Sequence, residues 1–100
     1  MIPHMNPMFT AATADLTDPE LVSRIARGEV DAFVLLWNRY RALVFRWCCG
    51  RLHDHSAAED ALQETMYAFW KVVASGRPVR SPRGLIMTIA RRRCVDAIAP

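Results

Sequence analysis

The chain has 100 residues, of which 52% are apolar and only four are glycine. This composition predicts one small domain with enough apolar surface for a helical core, and it argues against a turn-rich β architecture. No apolar run approaches the roughly 18 residues of a membrane span. The first residues lack the pattern of a secretory signal, and three cysteines without scaffold spacing indicate free thiols in a reducing, cytoplasmic protein.

The net charge is only +3, but acidic and basic residues are segregated along the chain. Four acidic residues and no lysine or arginine lie between Asp54 and Glu64. From Lys71 to the end there are seven basic residues and one acid, Asp96. Two regions of opposite charge predict two different partners, although each run taken alone is also typical of a solvated helix face.

The first half of the chain predicts a tail and two helices. Residues 1–16 lack periodicity and are predicted to be a flexible N-terminal tail, with residues 17–100 forming one domain. A first helix is predicted to begin at Asp18, with Asp18 as the cap and Pro19 at the first position, and to end at Gly28. A second is predicted over about residues 30–52, followed by LHDHS as a connection. Its apolar residues share one face: Phe33, Leu36, Trp37, Tyr40, Val44, Trp47 and Cys48.

The third helix is predicted to open with a capping box formed by Ser56 and Glu59. At about 100° per residue, its core stripe is predicted to hold Ala58, Leu62, Met66, Phe69 and Val73. On the opposite side the same geometry places Asp60, Glu64, Tyr67 and Lys71. Gln63 and Trp70 fall on one flank.

Residues 75–84 are a loop by composition and carry Arg77, Arg80 and Arg83. The last helix is predicted to start at Ser81-Pro82, with Arg91, Arg92 and Arg93 in its middle. Its apolar side is predicted to consist of Leu85, Ile86, Ile89, Val95 and Ile98. The fold class is therefore all-α, a compact bundle of about four helices with the middle two antiparallel.

The sequence contains no recognisable catalytic motif, so neither an enzyme nor a cofactor is expected. One cluster has metal-ligating residue types, namely Cys48, Cys49, His53 and His55. A zinc-dependent sensor remains an alternative for this cluster. However, Gly50 interrupts it, and Cys48 also fits the apolar face of the second helix, where a free cysteine packs as a small hydrophobe.

The arginine-rich end has two interpretations. Arg77, Arg80 and Arg83 are either ordinary loop charges that keep the domain soluble, or part of one cationic surface for nucleic-acid phosphates. The excess of basic over acidic residues favours the second interpretation.

Three stretches of the chain, taken in order, match the pattern of a known family. The first opens with D-x-x-L-x-x-R-I, the second is AAEDALQETMYAFWK, and the third is SPRGLIMTIARRRCVDAI. The chain resembles the second conserved region of bacterial sigma factors, most of all the extracytoplasmic-function (ECF) group, over about residues 18–98. The resemblance implies a bundle of the sigma-factor region 2 type and no catalytic activity. The family's region 4, which reads the minus-thirty-five element, is absent from the sequence. The chain is then either a fragment of a longer sigma factor, which we favour, or a protein that consists of the second region alone.

The resemblance also implies which residues bind which partner. Asp60, Gln63, Glu64 and Trp70 would contact the clamp-helix coiled coil of the largest catalytic subunit of RNA polymerase core. The 75–84 loop and the last helix would recognise and melt the minus-ten element of promoter DNA by capturing a flipped base of the non-template strand. The DNA-binding residues would be Arg77, Arg80, Arg83, Arg91, Arg92 and Arg93.

Three departures from the family pattern bear on sequence-specific recognition. Leu85-Ile86 stands where Trp-Leu is usual, Arg92 stands where Asn is usual, and the basic residues that usually follow the position of Val95-Asp96 are missing. An anti-sigma protein covering the polymerase-binding face is a further partner that the resemblance implies. The alternative function is a small helical adaptor that binds polymerase or a regulator without reading DNA.

Overall fold

The computed structural model describes residues 15–98, so the predicted N-terminal tail lies outside the described residues except for its last two positions. Four helices and no strand occur in this range. They are α1 (Asp18–Ala26), α2 (Val30–Leu52), α3 (His55–Ala74) and α4 (Pro82–Ile98). Each helix contacts the other three around one core. The all-α prediction of about four bundled helices is therefore confirmed.

The start of α1 differs from the prediction in its capping residue. Thr17, and not Asp18, is the cap, and its hydroxyl accepts a hydrogen bond from the Glu20 amide at 3.3 Å. Asp18 instead binds α2, where it accepts from Arg39 at 2.8 Å and from the hydroxyl of Tyr40. The carboxylate is thus used between helices, because the preceding threonine already supplies the acceptor that the helix end needs.

The end of α1 agrees with the sequence. Gly28 has a φ of +94°, and its amide donates to the carbonyl of Ile25 at 2.9 Å. This left-handed conformation is readily available only to glycine, which allows the chain to reverse between α1 and α2 within three residues.

The connection between α2 and α3 is shorter than the predicted LHDHS, since only His53 and Asp54 separate the two helices. His53 adopts a left-handed conformation with a φ of +53°, and its amide donates to the carbonyl of Cys49 at 3.1 Å. Asp54 caps α3 by accepting from the Ala57 amide at 3.2 Å. The predicted capping box at Ser56 is therefore wrong, because an acceptor two positions earlier begins the helix sooner.

The core face of α3 is broader than the predicted stripe. Ala58, Leu62, Phe69 and Val73 are buried as predicted, whereas Met66 is 37% exposed. Ala61 and Thr65 are buried as well, because α3 packs against three other helices. Burial of Thr65 is tolerated because its hydroxyl donates to the carbonyl of Ala61 at 2.7 Å.

The start of α4 is as predicted, with the Ser81 hydroxyl accepting from the Gly84 amide at 3.0 Å. Its buried residues recur every four positions: Pro82, Ile86, Ala90 and Cys94. Leu85 and Ile89 are half-buried beside this line. The predicted core positions Val95 and Ile98 are wrong, since these side chains are 57% and 64% exposed.

No helix within residues 15–98 has the length and apolar character needed to cross a membrane.

Candidate functional site

The outer side of α3 carries an acidic edge, which we define as Asp60, Glu64, Tyr67 and Lys71. All four side chains are exposed. The Lys71 ammonium lies 4.9 Å from the centre of the Tyr67 ring. Neither Asp60 nor Glu64 has an ion-pair partner among residues 15–98. Both carboxylates are therefore available to a basic partner.

A groove of about 910 Å³ runs between α2 and α3, beside the acidic edge. Apolar side chains from both helices line it, joined by a few polar ones at the rim. The apolar lining includes Phe33, Val34, Trp37, Phe45, Leu62, Met66 and Trp70. An apolar groove between two helices can receive apolar side chains of a partner.

Trp70 is held in the wall of the groove by aromatic contacts. Its ring meets the ring of Phe33 edge-on, with centroids 5.0 Å apart and planes at 75°. Phe33 in turn packs against the fully buried Phe69 at 5.9 Å. This chain of rings connects the half-exposed tryptophan to the core, so its position is fixed before any partner binds.

Gln63 lies where the groove and the acidic edge meet. On a helix it is about 60° from Asp60 on one side and about 60° from Met66 on the other, taking 100° per residue. Gln63 lines the groove, and so does Glu59, which pairs with His55 at 3.2 Å near the start of α3. The His55 ring also packs edge-on against Phe45 at 5.2 Å, which closes that end of the groove.

The four residues predicted to bind polymerase thus occupy two adjoining features of one helix. Gln63 and Trp70 line the groove, while Asp60 and Glu64 lie on the acidic edge. The sequence analysis missed the wall that α2 provides. The signal for it was a second apolar line along α2: Val30, Val34, Trp37 and Phe45.

The six arginines predicted to bind DNA differ in solvent exposure and in ion pairing. Arg77, Arg80, Arg83, Arg91 and Arg92 are exposed, and Arg93 is half-buried. Asp96 forms ion pairs with Arg92 at 3.5 Å and with Arg93 at 3.9 Å. The Nε of Arg93 is buried with no hydrogen-bond partner among residues 15–98. Asp96 therefore offsets part of the positive charge of the arginine triplet.

On α4 the arginines do not all share one line. Arg83 and Arg91 fall about 80° apart around the axis, on one flank of the buried line. Arg92 falls on the opposite flank, about 100° from Arg91. Arg83, Arg91 and Arg92 are themselves exposed, so these side chains border the outward face of α4 from its two sides.

Arg83 lies close enough to the contact between α1 and α2 to affect Tyr40. Burial raises the pKa of the Tyr40 hydroxyl, and the hydrogen bond and charge of Asp18 raise it further. The positive charges of Arg39 and Arg83 act in the opposite direction on the same pKa. The start of α4 and the Asp18–Arg39–Tyr40 network therefore lie near each other.

The cluster of metal-ligating residue types noted as an alternative in the sequence is not assembled. Cys48 is fully buried, with its Sγ 3.5 Å from the Sγ of Cys94, while His53 is exposed and His55 pairs with Glu59. Within residues 15–98 no three His, Cys, Asp or Glu side chains are grouped so as to hold a metal ion. The geometry gives the zinc-sensor alternative no support.

An all-helical domain with an acid-edged apolar groove between α2 and α3 and exposed arginines on α4 has the features of a binding module with two faces of opposite charge. Residues 36–99 match the family model described as sigma-70 region 2, and the chain belongs to this family. Sigma factors are not enzymes. The match includes every residue that the sequence analysis assigned to polymerase or DNA.

The chain is similar to three mycobacterial proteins described as "ECF RNA polymerase sigma factor SigK". It is 32% identical to that of Mycobacterium sp. (strain KMS) over 79 residues, which cover 78% of this chain and 41% of the relative. For Mycobacterium ulcerans (strain Agy99) the identity is 30%, with 78% and 42% covered. For Mycolicibacterium vanbaalenii it is 28%, with 78% and 40% covered. The chain thus spans about two fifths of the length of these curated relatives. No solved structure shows significant similarity to it.

Proposed function

We propose that this chain is the sigma-factor domain that binds RNA polymerase core and recognises and melts the promoter minus-ten element during transcription initiation in the cytoplasm. The observation that carries the proposal is the exposed acidic edge of α3 next to the apolar groove between α2 and α3, in a chain that matches sigma-70 region 2. The groove and the acidic edge bind polymerase, and the loop at 75–81 and α4 bind DNA.

The polymerase partner in this proposal is the clamp-helix coiled coil of the largest catalytic subunit. A helical partner can lay apolar side chains into the groove while its basic residues pair with Asp60 and Glu64. Trp70 is the expected anchor, because a preorganised tryptophan in a desolvated pocket is a frequent site of large binding energy. Its contact with Phe33 supplies that preorganisation.

Two tryptophan variants test this assignment. Trp70→Ala removes the anchor, whereas Trp47→Ala removes a tryptophan that does not line the groove and that packs beneath Arg51 at 4.9 Å. Titration of the isolated clamp coiled coil should show binding to Trp70→Ala weakened by roughly tenfold or more, and binding to Trp47→Ala close to that of the unaltered chain. Equal losses in both variants would place the interface elsewhere.

The DNA partner in this proposal is the non-template strand. Strand opening requires unstacking of bases, and contacts to a captured base and to neighbouring phosphates offset that cost of a few kcal/mol. Arg77 and Arg80 lie in the loop before α4, and Arg83 lies in its first turn. Arg91 is the most available cation farther along α4, because it is exposed and is not paired with Asp96.

A binding measurement on single-stranded DNA distinguishes the proposed function from the adaptor alternative. A fluorescent oligonucleotide carrying a minus-ten element should bind with an affinity that falls as salt rises, since phosphate contacts release counterions. An adaptor that binds only polymerase would show no such binding. An oligonucleotide of the template strand serves as the matched control.

An anti-sigma protein is the third proposed partner, and it would cover the groove and the acidic edge. Such a protein should compete with the clamp coiled coil for this chain and should lose affinity for Trp70→Ala. Binding of both proteins at once would exclude a shared face.

A further inference from the structure

Two thiols from different helices face each other inside the core. Cys48 lies on α2 and Cys94 on α4, separated by 46 positions in the sequence. Their exposed fractions are 0% and 2%, and their sulfur atoms are 3.5 Å apart. Neither polymerase binding nor DNA binding as proposed above uses this pair.

We propose that Cys48 and Cys94 form a site of two-electron oxidation, at which a peroxide converts the two thiols into a disulfide that fastens α4 to α2. One cysteine, as its thiolate, attacks a peroxide oxygen, which gives a sulfenic acid and releases hydroxide. The sulfur of the other cysteine then displaces the sulfenic hydroxyl, and the new bond joins the two sulfurs. In total, two thiols and one hydrogen peroxide give one disulfide and two water molecules.

The geometry suits this product. A disulfide has a sulfur–sulfur distance of about 2.05 Å, so the two sulfurs must approach by roughly 1.5 Å. The two helices already pack against each other, and the sulfurs are already neighbours, so side-chain rotation with a small backbone shift supplies this approach. The third cysteine, Cys49, is half-buried one position away from Cys48 on a different side of the helix.

The surroundings make the reaction slow in the closed domain. Burial, together with the hydrogen bond to Cys94, raises the pKa of the Cys48 thiol to about 12, and the thiolate is the form that reacts. Peroxide therefore reaches the pair mainly when α4 opens locally. The two thiols stay reduced when exposure to peroxide is brief, and they form the disulfide when exposure is sustained.

A covalent link between α2 and α4 acts on the helix that carries Arg83, Arg91, Arg92 and Arg93. It closes a long loop, which restricts the unfolded chain and suppresses opening of α4. We expect the oxidised chain to unfold at a temperature roughly 10 °C or more above that of the reduced chain.

The test uses hydrogen peroxide on the whole chain, followed by alkylation of remaining thiols, trypsin digestion without reductant and mass spectrometry. Cleavage after Arg46, Arg51 and Arg93 puts Cys48 and Cys49 in one peptide, WCCGR, and Cys94 in another, CVDAIAP. Because Cys48 and Cys49 share a peptide, the Cys49→Ser variant identifies the sulfur involved. The expected product is a cross-linked peptide pair that is two hydrogens lighter, formed in the unaltered chain and in Cys49→Ser and reversed by dithiothreitol.

The Cys94→Ala variant should give no internal cross-link and no rise in unfolding temperature on oxidation. The proposal would be overturned by a cross-link that requires Cys49, by oxidation to sulfinic acid without a cross-link, or by full alkylation of Cys48 and Cys94 after prolonged peroxide treatment. Fragmentation of the cross-linked peptides from the unaltered chain gives the same assignment independently of how the variants fold.

Discussion

At the scale of single residues, neighbouring positions on α3 serve different purposes. Leu62 is 8% exposed and packs in the core, whereas Glu64, two residues on, is exposed and has no ion-pair partner within residues 15–98. The helical repeat alone separates them, because a step of two residues turns the helix by about 200°. Stability and binding should therefore be separable by single substitutions.

Glu64→Ala should change the free energy of unfolding by less than about 0.5 kcal/mol, because the side chain makes no buried contact. Leu62→Ala should lower it by about 2–5 kcal/mol, through lost burial and the cavity left behind. Urea unfolding followed by circular dichroism measures both. A loss for Glu64→Ala as large as that for Leu62→Ala would mean that the faces of α3 are assigned incorrectly.

The three cysteines should differ in reactivity. Burial is the main reason that the pKa of Cys48 rises from 9.0 to about 12, and Cys94 is buried beside it, whereas Cys49 is half-buried. Iodoacetamide at about pH 8 should therefore alkylate Cys49 first, as followed by peptide mass spectrometry. Alkylation of Cys48 before Cys49 in the folded chain would contradict the placement of these side chains.

The same pKa shift predicts a direction for stability against pH. A thiol whose pKa is higher in the folded state favours the protonated form there, so its contribution is complete below about pH 9. It is lost as the pH rises from about 9 towards about 12. Cys48→Ala should remove this part of the alkaline loss of stability, measured as the urea midpoint at pH 8 and pH 10.

At the scale of the helices, caps determine where each one begins. Asp54 starts α3 and leaves Ser56 exposed in the first turn. Asp54→Ala should therefore lower the free energy of unfolding by about 1 kcal/mol, while Ser56→Ala should change it much less. Thermal unfolding of the two variants compares them directly. A larger loss of stability in Ser56→Ala than in Asp54→Ala would show that the capping box predicted from the sequence caps α3.

The starts of α1 and α4 could be predicted from the sequence, because Pro19 and Ser81-Pro82 mark helix starts locally. The bounds of α2 could be predicted from its apolar repeat and from Gly28 shortly before it. The choice between two nearby caps could not. Thr17 and Asp18 both suit the first cap, and Asp18 is drawn away by Arg39 and Tyr40, which lie more than 20 residues later. A contact of that kind has no local signature.

At the scale of the whole molecule, the exposed acid of α3 and the exposed arginines of α4 belong to separate helices of one core. The chemistry of both faces could be predicted from the distribution of charge. The groove could not, because a helical repeat describes one helix at a time and does not show where two helices leave a gap. Met66 was expected in the core for the same reason, and Val95 and Ile98 were expected on a face that Ala90 and Cys94 fill instead.

The exposed arginines of α4 should make the affinity for DNA depend on salt concentration. Arg91→Ala should weaken binding of the minus-ten oligonucleotide across sequences and reduce the slope of log affinity against log salt by about one. Arg27→Ala removes an equal charge just after the end of α1, where Arg27 pairs with Glu29, and should leave the slope unchanged. Equal changes in both variants would indicate a response to net charge alone.

The central claim is that one face of α3 binds polymerase and the arginines of α4 bind DNA independently. The most direct test measures binding of both the clamp coiled coil and the minus-ten oligonucleotide to Glu64→Ala and to Arg91→Ala. We expect Glu64→Ala to lose affinity for the coiled coil and keep its affinity for DNA, and Arg91→Ala to show the opposite pattern. Loss of both ligands in either variant, or loss of neither, would contradict this division.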